Sequence, residues 1–375
     1  MSTAHLRRPA VRWAAVLQTV LLALAGLLVT GAPAAASLVP GTVVTASTAT
    51  LPAELVPLAN GKRISYLTTA PGGAITAATG LVLTPKTGKK NKTVVWGHGS
   101  TGLADQCAPS ASQAVFWPEA RAAIAALLGK GWTVTAPDYP GLGTPAAHPY
   151  LIGESAGRSM IDSVKAARNL DAALSTQYVL DGHSQGGQGA LFAGQLAPSY
   201  DGPLVLRGVA AIAPVSNLDV LAPAIPGTPG QGYLVMALYG LSTQDPSVNP
   251  NALLAGPARQ RASVLQSGCL YEILDAYASL TAEELLVGGA LPDAVVAKLA
   301  RYGNPAQSTP SVPMLIVQGT ADEAVPYEVT RDLLLPQLAV YRQPVEFVTV
   351  EGANHDEAVF RTVDVVARWI AARFG

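Results

Sequence analysis

The chain has 375 residues, with 24 Lys+Arg against 25 Asp+Glu and a formal net charge of −1, so it lacks the clustered basic excess that nucleic-acid phosphates demand. Charged residues are only 13% and hydrophobic residues 49% of the chain, where a charged share of roughly 25% is usual. Low charge with high apolar content excludes disorder as the dominant state, and the length suits one large domain or two smaller ones.

The start of the chain reads apart from the rest. Arg7, Arg8 and Arg12 precede an apolar run over 16–29, broken only by Gln18 and Thr19, and Ala34-Ala35-Ala36 follows. Positive start, apolar stretch and small-x-small site together predict a secretory signal peptide over 1–36, cut before Ser37. A membrane anchor would need about 20 apolar residues. The Arg7-Arg8 pair leaves the general and twin-arginine routes both open. Cleavage removes three arginines and no acid, leaving 21 basic against 25 acidic residues. An oxidising compartment favours one disulfide between Cys107 and Cys269, the chain's two cysteines; the alternative is two separate buried thiols. Two cysteines alone make no structural zinc site.

Residues 37–60, rich in Pro, Thr and Ala, are expected to drape over the surface. Strand-like runs follow at 64–68, 79–83 and 93–96, separated by Pro71-Gly72-Gly73 and the turn-rich 85–92, an antiparallel entry to a sheet. Then the rhythm alternates. Residues 111–128 read as a helix ending at Gly129, and 133–136 as a buried strand. The stretch 159–174 reads as an amphipathic helix with Ile161, Val164, Ala167 and Leu174 inward and Arg158, Lys165 and Arg168 toward water. Residues 178–181 are a strand, 188–196 a helix and 204–213 a strand. Such alternation means βαβ units and an α/β fold with a mostly parallel sheet. Over 215–305 it stops, leaving helical pieces at 233–241, 263–280, 282–287 and 292–301, which reads as a helical insertion dividing the core into 37–214 and 306–375. The rhythm resumes with a strand at 312–318, a helix at 327–340, a strand at 345–350 and a closing helix at 356–374.

Gly182-His183-Ser184-Gln185-Gly186 lies between a strand and a helix. This is the setting of a nucleophile elbow, where the turn is so tight that the flanking residues must be tiny and the serine hydroxyl is left exposed. An elbow serine needs a base, and the base needs an orienting carboxylate, in chain order Ser, acid, His. Of the five histidines, only His355 follows the insertion, in a loop between the last strand and the last helix. The acid should follow the preceding strand; within Gly319-Thr320-Ala321-Asp322-Glu323-Ala324-Val325-Pro326 the reading selects Asp322, with Glu323 as runner-up. Asp356 and Glu357 are rivals, but an acid starting a helix is explained by the helix dipole. Oxyanion donors are expected from the backbone N–H of Gln185 and of Ser100 or Thr101, in the loop Trp96-Gly97-His98-Gly99-Ser100-Thr101-Gly102. His98, His148 and His183 read as structural. The turn Asp138-Tyr139-Pro140-Gly141-Leu142-Gly143 is either a site rim or a plain turn, and 233–239 is either an acyl pocket or core. No phosphate-cradling loop, dinucleotide fingerprint or His-based metal cluster is present.

The elbow, the Gly97–Gly102 loop with Cys107-Ala108-Pro109-Ser110 behind it, the run Pro137-Asp138-Tyr139-Pro140-Gly141-Leu142-Gly143 and the stretch 159–168 together resemble the secretory lipase family, exported α/β-hydrolases of actinobacteria and fungi. The resemblance spans roughly 60–370. It implies a Ser184/Asp322/His355 triad, no cofactor, a helical cap over the site and hydrolysis of carboxylic esters with acyl chains of some length. Expected partners are small-molecule or lipid esters, with at most transient contact with a lipid interface and no nucleic acid. The first strands and the His-Gly loop look closer to bacterial esterase-like members than to fungal lipases. A serine peptidase of the same fold and a non-catalytic binding protein are the competing readings.

Overall fold

Gly- and Pro-rich turns at the start of the sheet fold as the antiparallel hairpins they predict. In the computed structural model, which describes residues 38–309 and 312–375, β1 (Val43–Thr48) pairs with β2 (Ala59–Thr69), β2 with β3 (Ile75–Pro85), and β3 with β5 (Thr133–Pro137), all antiparallel. The arginine start, the apolar run and the alanine site of 1–36 lie outside the described residues. β1 corrects the expectation that 37–60 merely covers the surface. Five of its six residues are exposed, so it lacks the alternation that marks a half-buried strand; only its pairing with β2 reveals it.

From β4 (Thr93–Gly97) onward the sheet is parallel, through β6 (Gln177–His183), β7 (Val205–Ile212), β8 (Met314–Gly319) and β9 (Val345–Val350). The order is β1-β2-β3-β5-β4-β6-β7-β8-β9. The chain leaves β4 for β5 on one side and returns to β6 on the other, so the crevice of this sheet opens at the carboxyl ends of β4 and β6. There Gly97 and Gly182 are register partners.

Helices cover both faces. α1 (Pro118–Gly129) packs on one, with Ile124 and Leu127 against Trp96, Val179 and Ile212. It starts at Pro118, not at 111, because proline is pre-organised for the first helical position; residues 113–115 form a separate 3₁₀ turn. α2 (Gly153–Leu170) and α3 (Gln185–Tyr200) cover the other face, where Met160, Ile161 and Leu191 meet Val95 and Leu180. α2 begins six residues earlier than its periodicity suggests and ends four earlier. Its Arg158 and Lys165 are half-buried rather than in water, because they bond the Ala70 carbonyl and Asp162.

Between β7 and β8 the described chain is helical, with one isolated bridge, Leu254 to Leu286. α4 (Leu218–Ala224), α5 (Gln231–Gln244), α6 (Pro250–Leu253), α7 (Gly256–Gln260), α8 (Val264–Ser267), α9 (Leu270–Tyr277), α10 (Ala282–Leu285) and α11 (Asp293–Gly303) enclose a core of their own around Leu234, Val235, Leu238, Leu241, Ile273 and Leu285. The apolar run of α5 is therefore core. Three ties hold this segment to the loop after β4: the Cys107–Cys269 disulfide, with Cα atoms 5.5 Å apart, Leu270 N–H to the Thr101 carbonyl at 2.8 Å, and Gln106 Nε2 to the Gln266 carbonyl at 2.8 Å. Beyond β8 the expected helix 327–340 is a π-helical stretch, Val329–Leu334, running into α12 (Leu335–Ala339). The closing helix is broken into α13 (Glu357–Phe360) and α14 (Val363–Phe374). Among the described residues no helix is long and apolar enough to cross a membrane.

Candidate active site

The turn from β6 into α3 is as tight as the elbow pattern requires. A Cβ on Gly186 would stand 2.0 Å from the Gly97 carbonyl oxygen, and one on Gly182 2.3 Å from the Gly186 oxygen. Both positions must be glycine. Between them Ser184 is held at φ 57°, ψ −117°, a region L side chains rarely occupy. Its neighbour Gln185 opens α3, where first-turn amides have no intrahelical acceptor. Ser184 is only 8% exposed, so the site is covered in this conformation.

The β4 loop runs alongside. A Cβ on Gly99 would lie 3.5 Å from Ser184 Cβ, which makes Gly99 a neighbour of the elbow that the sequence did not single out. The Ser100 hydroxyl is committed to Tyr150 Oη at 2.6 Å, and its carbonyl accepts Trp117 Nε1–H at 3.1 Å. Among the described residues the amides of Gly99, Ser100 and Thr101 donate to no protein acceptor.

Asp322 follows β8 and His355 follows β9, and these neighbouring strands bring them together: His355 Nδ1 lies 2.7 Å from Asp322 Oδ2. Asp322 also accepts from Gln318 Nε2 at 2.7 Å and from the amides of Ala324 and Val325 at 2.9 Å each. Glu323 points to solvent, and Glu357 accepts from the Asn354 amide and from Arg361; neither reaches the imidazole. The His355 loop reaches back to the elbow, where His183 Nε2–H donates to the His355 carbonyl at 3.2 Å and the two rings stand 4.5 Å apart. Among the described residues no hydrogen bond joins Ser184 Oγ to His355 in this conformation; such bonds often tighten only once substrate is present.

The other histidines are scaffold. His98 is buried, its Nδ1 at 2.6 Å from the Gly99 carbonyl, and burial lowers its pKa. His148, bonded to the Pro140 carbonyl at 2.7 Å and to Gln185 Nε2 at 3.1 Å, is pushed down to about 4 by burial. Tyr139 packs between their rings. The Asp138 turn is structural as well: its carboxylate takes the Thr79 hydroxyl at 2.6 Å and the Ser110 amide at 2.9 Å, tying the end of β5 to the middle of β3 and to the loop after β4.

Two residues near the site escaped sequence reasoning. Asp181, on β6, is 1% exposed with one oxygen unpartnered, and burial pushes its pKa up to about 8. A lone acid in an apolar strand was a signal that could have been read. Glu119, in the first turn of α1, is 4% exposed and pushed up to about 7 by burial and then by Asp356. Nothing in its sequence neighbourhood marks it. Tyr233, in the first turn of α5 and the first residue of the 233–239 run, has its phenol raised by burial, with Tyr271, Asp356 and Asp322 adding to the rise.

Comparison with known proteins gives the chain a family and its fold relatives. The family profile described as secretory lipase matches residues 109–375. The chain is 27% identical over 342 residues to a secreted triacylglycerol lipase of Malassezia globosa, covering 84% of this chain and 71% of the relative. It spans between 54% and 71% of the length of three such Malassezia relatives. Among solved structures, lipase A of Candida antarctica in its closed state superposes with a TM-score of 0.77 at 20% identity, over 90% of this chain and 83% of that one. The rice cell wall degrading esterase LipA of Xanthomonas oryzae superposes with a TM-score of 0.74 at 20% identity, over 89% and 99%.

Proposed function

Because the chain belongs to the secretory lipase family, α/β-hydrolases that cleave carboxylic esters, we propose that it is an exported ester hydrolase working through a covalent acyl-enzyme. The observation that carries this reading is the 2.7 Å Asp322–His355 pair set against an elbow whose serine is held at positive φ.

In this mechanism Ser184 Oγ attacks the ester carbonyl carbon while His355 Nε2 takes its proton. Asp322 accepts from His355 Nδ1–H, which holds the tautomer and stabilises the imidazolium. The oxyanion is met by the Gln185 amide and by one amide of the Gly99–Ser100–Thr101 turn; donors already in place where charge develops need no reorganisation. The tetrahedral intermediate collapses, the C–O bond breaks, and the alcohol leaves with the proton from His355. Water then adds to the acyl carbon by the same steps in reverse, giving the acid and free Ser184. No cofactor enters. The helical segment 215–305 acts as a cap, and the acyl chain lies between it and the sheet rim, which suits a chain poor in charge. Export is supported by the arginine, apolar and alanine order of 1–36 and by the similarity to secreted lipases.

The test is a series of p-nitrophenyl esters of graded acyl length beside aminopeptidase substrates, with fluorophosphonate labelling. Ester turnover should fall by about 10⁴–10⁶ in Ser184→Ala and labelling should vanish. Persistent labelling, or faster turnover of the peptidase substrates, would overturn the reading.

A further inference from the structure

We propose that Glu119, His183 and Asp356 form a binding site for a divalent cation of the zinc class, one ring away from the imidazole of His355. The three residues come from three elements: the first turn of α1, the end of β6 and the loop after β9. One ligand atom from each lies within 4.8 Å of the other two. One imidazole nitrogen and two carboxylate oxygens is a donor set that suits zinc, with a fourth position for water. Zinc bonds of about 2.0–2.2 Å require the group to close by roughly 1 Å, and Asp356, at the start of α13, is the one ligand of the three that is only partly buried.

His183 is prepared for such a role. Its Nε2–H donates to the His355 carbonyl at 3.2 Å, which leaves Nδ1 as the lone-pair nitrogen. Nδ1 has no hydrogen-bond partner although the residue is 2% exposed. A ligating histidine typically donates its other ring N–H to a carbonyl or carboxylate in this way, which fixes its tautomer.

Glu119 is the second argument. A first-turn acid serves the helix dipole equally well at the surface, so the dipole does not account for a carboxyl 4% exposed facing a second carboxyl. Among the described residues its carboxylate accepts no hydrogen bond from another side chain. The guanidinium of Arg121, two residues on, turns away to Glu54 at 3.3 Å and to the Gln113 carbonyl at 2.7 Å. Two acids from separate elements thus converge on one imidazole, and neither is salt-bridged to a lysine or arginine among the described residues.

Binding itself is independent of the proposed reaction; its consequence rests on it. A cation here opposes the positive charge His355 takes up when it accepts the serine proton, so zinc should slow ester turnover and a chelator restore it. The experiment titrates the full secreted chain with zinc chloride, without substrate, by calorimetry and thermal unfolding. One equivalent should bind, and at about 100 times Kd the Tm should rise by about 4 °C. Glu119→Gln and Asp356→Asn should each weaken binding at least about tenfold; if Glu119→Gln does not fold, Asp356→Asn on the loop gives the same reading. No binding by the wild-type chain, or equal affinity in both variants with zinc held elsewhere (on the Asp322–His355 pair, for instance), would overturn the proposal. Zinc binding without ester hydrolysis would instead sink the functional reading alone.

Discussion

At the serine, position is set by atoms that are missing; at the histidine, by hydrogen bonds that are made. Gly182, Gly186 and Gly97 pack backbone against backbone, and any side chain there would stand 2.0–2.9 Å from a neighbouring carbonyl oxygen. Asp322 and His355 sit on loops, and Asp322 is aimed by three donors besides the imidazole. Steric exclusion tolerates no substitution and leaves a sequence pattern. Hydrogen bonding tolerates change of the partners one at a time and leaves almost none. The two halves should therefore fail differently, the first by unfolding and the second by losing rate.

The largest effect tests the loop half. Asp322→Asn should lower kcat about 10³–10⁴-fold, because the imidazole loses its orienting charge. Urea unfolding should shift by only about 1–2 kcal/mol, the worth of a weakened buried hydrogen bond. A near-normal kcat would break the comparison.

Gly186→Ala tests the elbow half. Its Cβ meets backbone that cannot rotate away, so the variant should lose about 3 kcal/mol or more, read from the urea midpoint at unchanged slope. Wild-type stability would show that the elbow yields, and the steric argument would fall.

A third effect, read per pH unit, sharpens the picture beneath the elbow. Asp181 lies among Ala123, Leu127, Ile212, Val359 and Val366, and its folded pKa of about 8 stands above the ordinary 3.8. Between those values the folded chain holds a proton that the unfolded chain has lost. Stability from this group is thus full below about pH 4 and is lost as pH rises through 8, with a slope of at most about 1.4 kcal/mol per pH unit. Asp181→Asn should flatten that slope, and unfolding curves for the two chains that stay parallel from pH 4 to 8 would refute the assignment.

Much of the fold was readable in advance. The alternation of apolar strand and amphipathic helix predicted the parallel sheet, because burial on both faces imposes it residue by residue. Where burial was one-sided or absent the reading slipped: β1 exposes nearly every residue, and the short helices α6, α7, α8 and α10, of four or five residues each, have too few turns to show a period. α2 misled in its charges, since Arg158 bonds the Ala70 carbonyl across the fold and Lys165 bonds Asp162 on its own helix rather than water.

What the sequence by itself determined is the strand–turn–helix elbow and the succession of strands along the chain after β1, and it put Asp322 and His355 forward, because each rests on a local constraint or on chain order. What only the tertiary structure decided is which residues meet. Glu119 beside His183 and Asp356, Gly99 against Ser184 and the ties from the helical segment to the β4 loop join positions far apart in the chain. Their distances are set by how sheet and helices pack, and no local pattern records that.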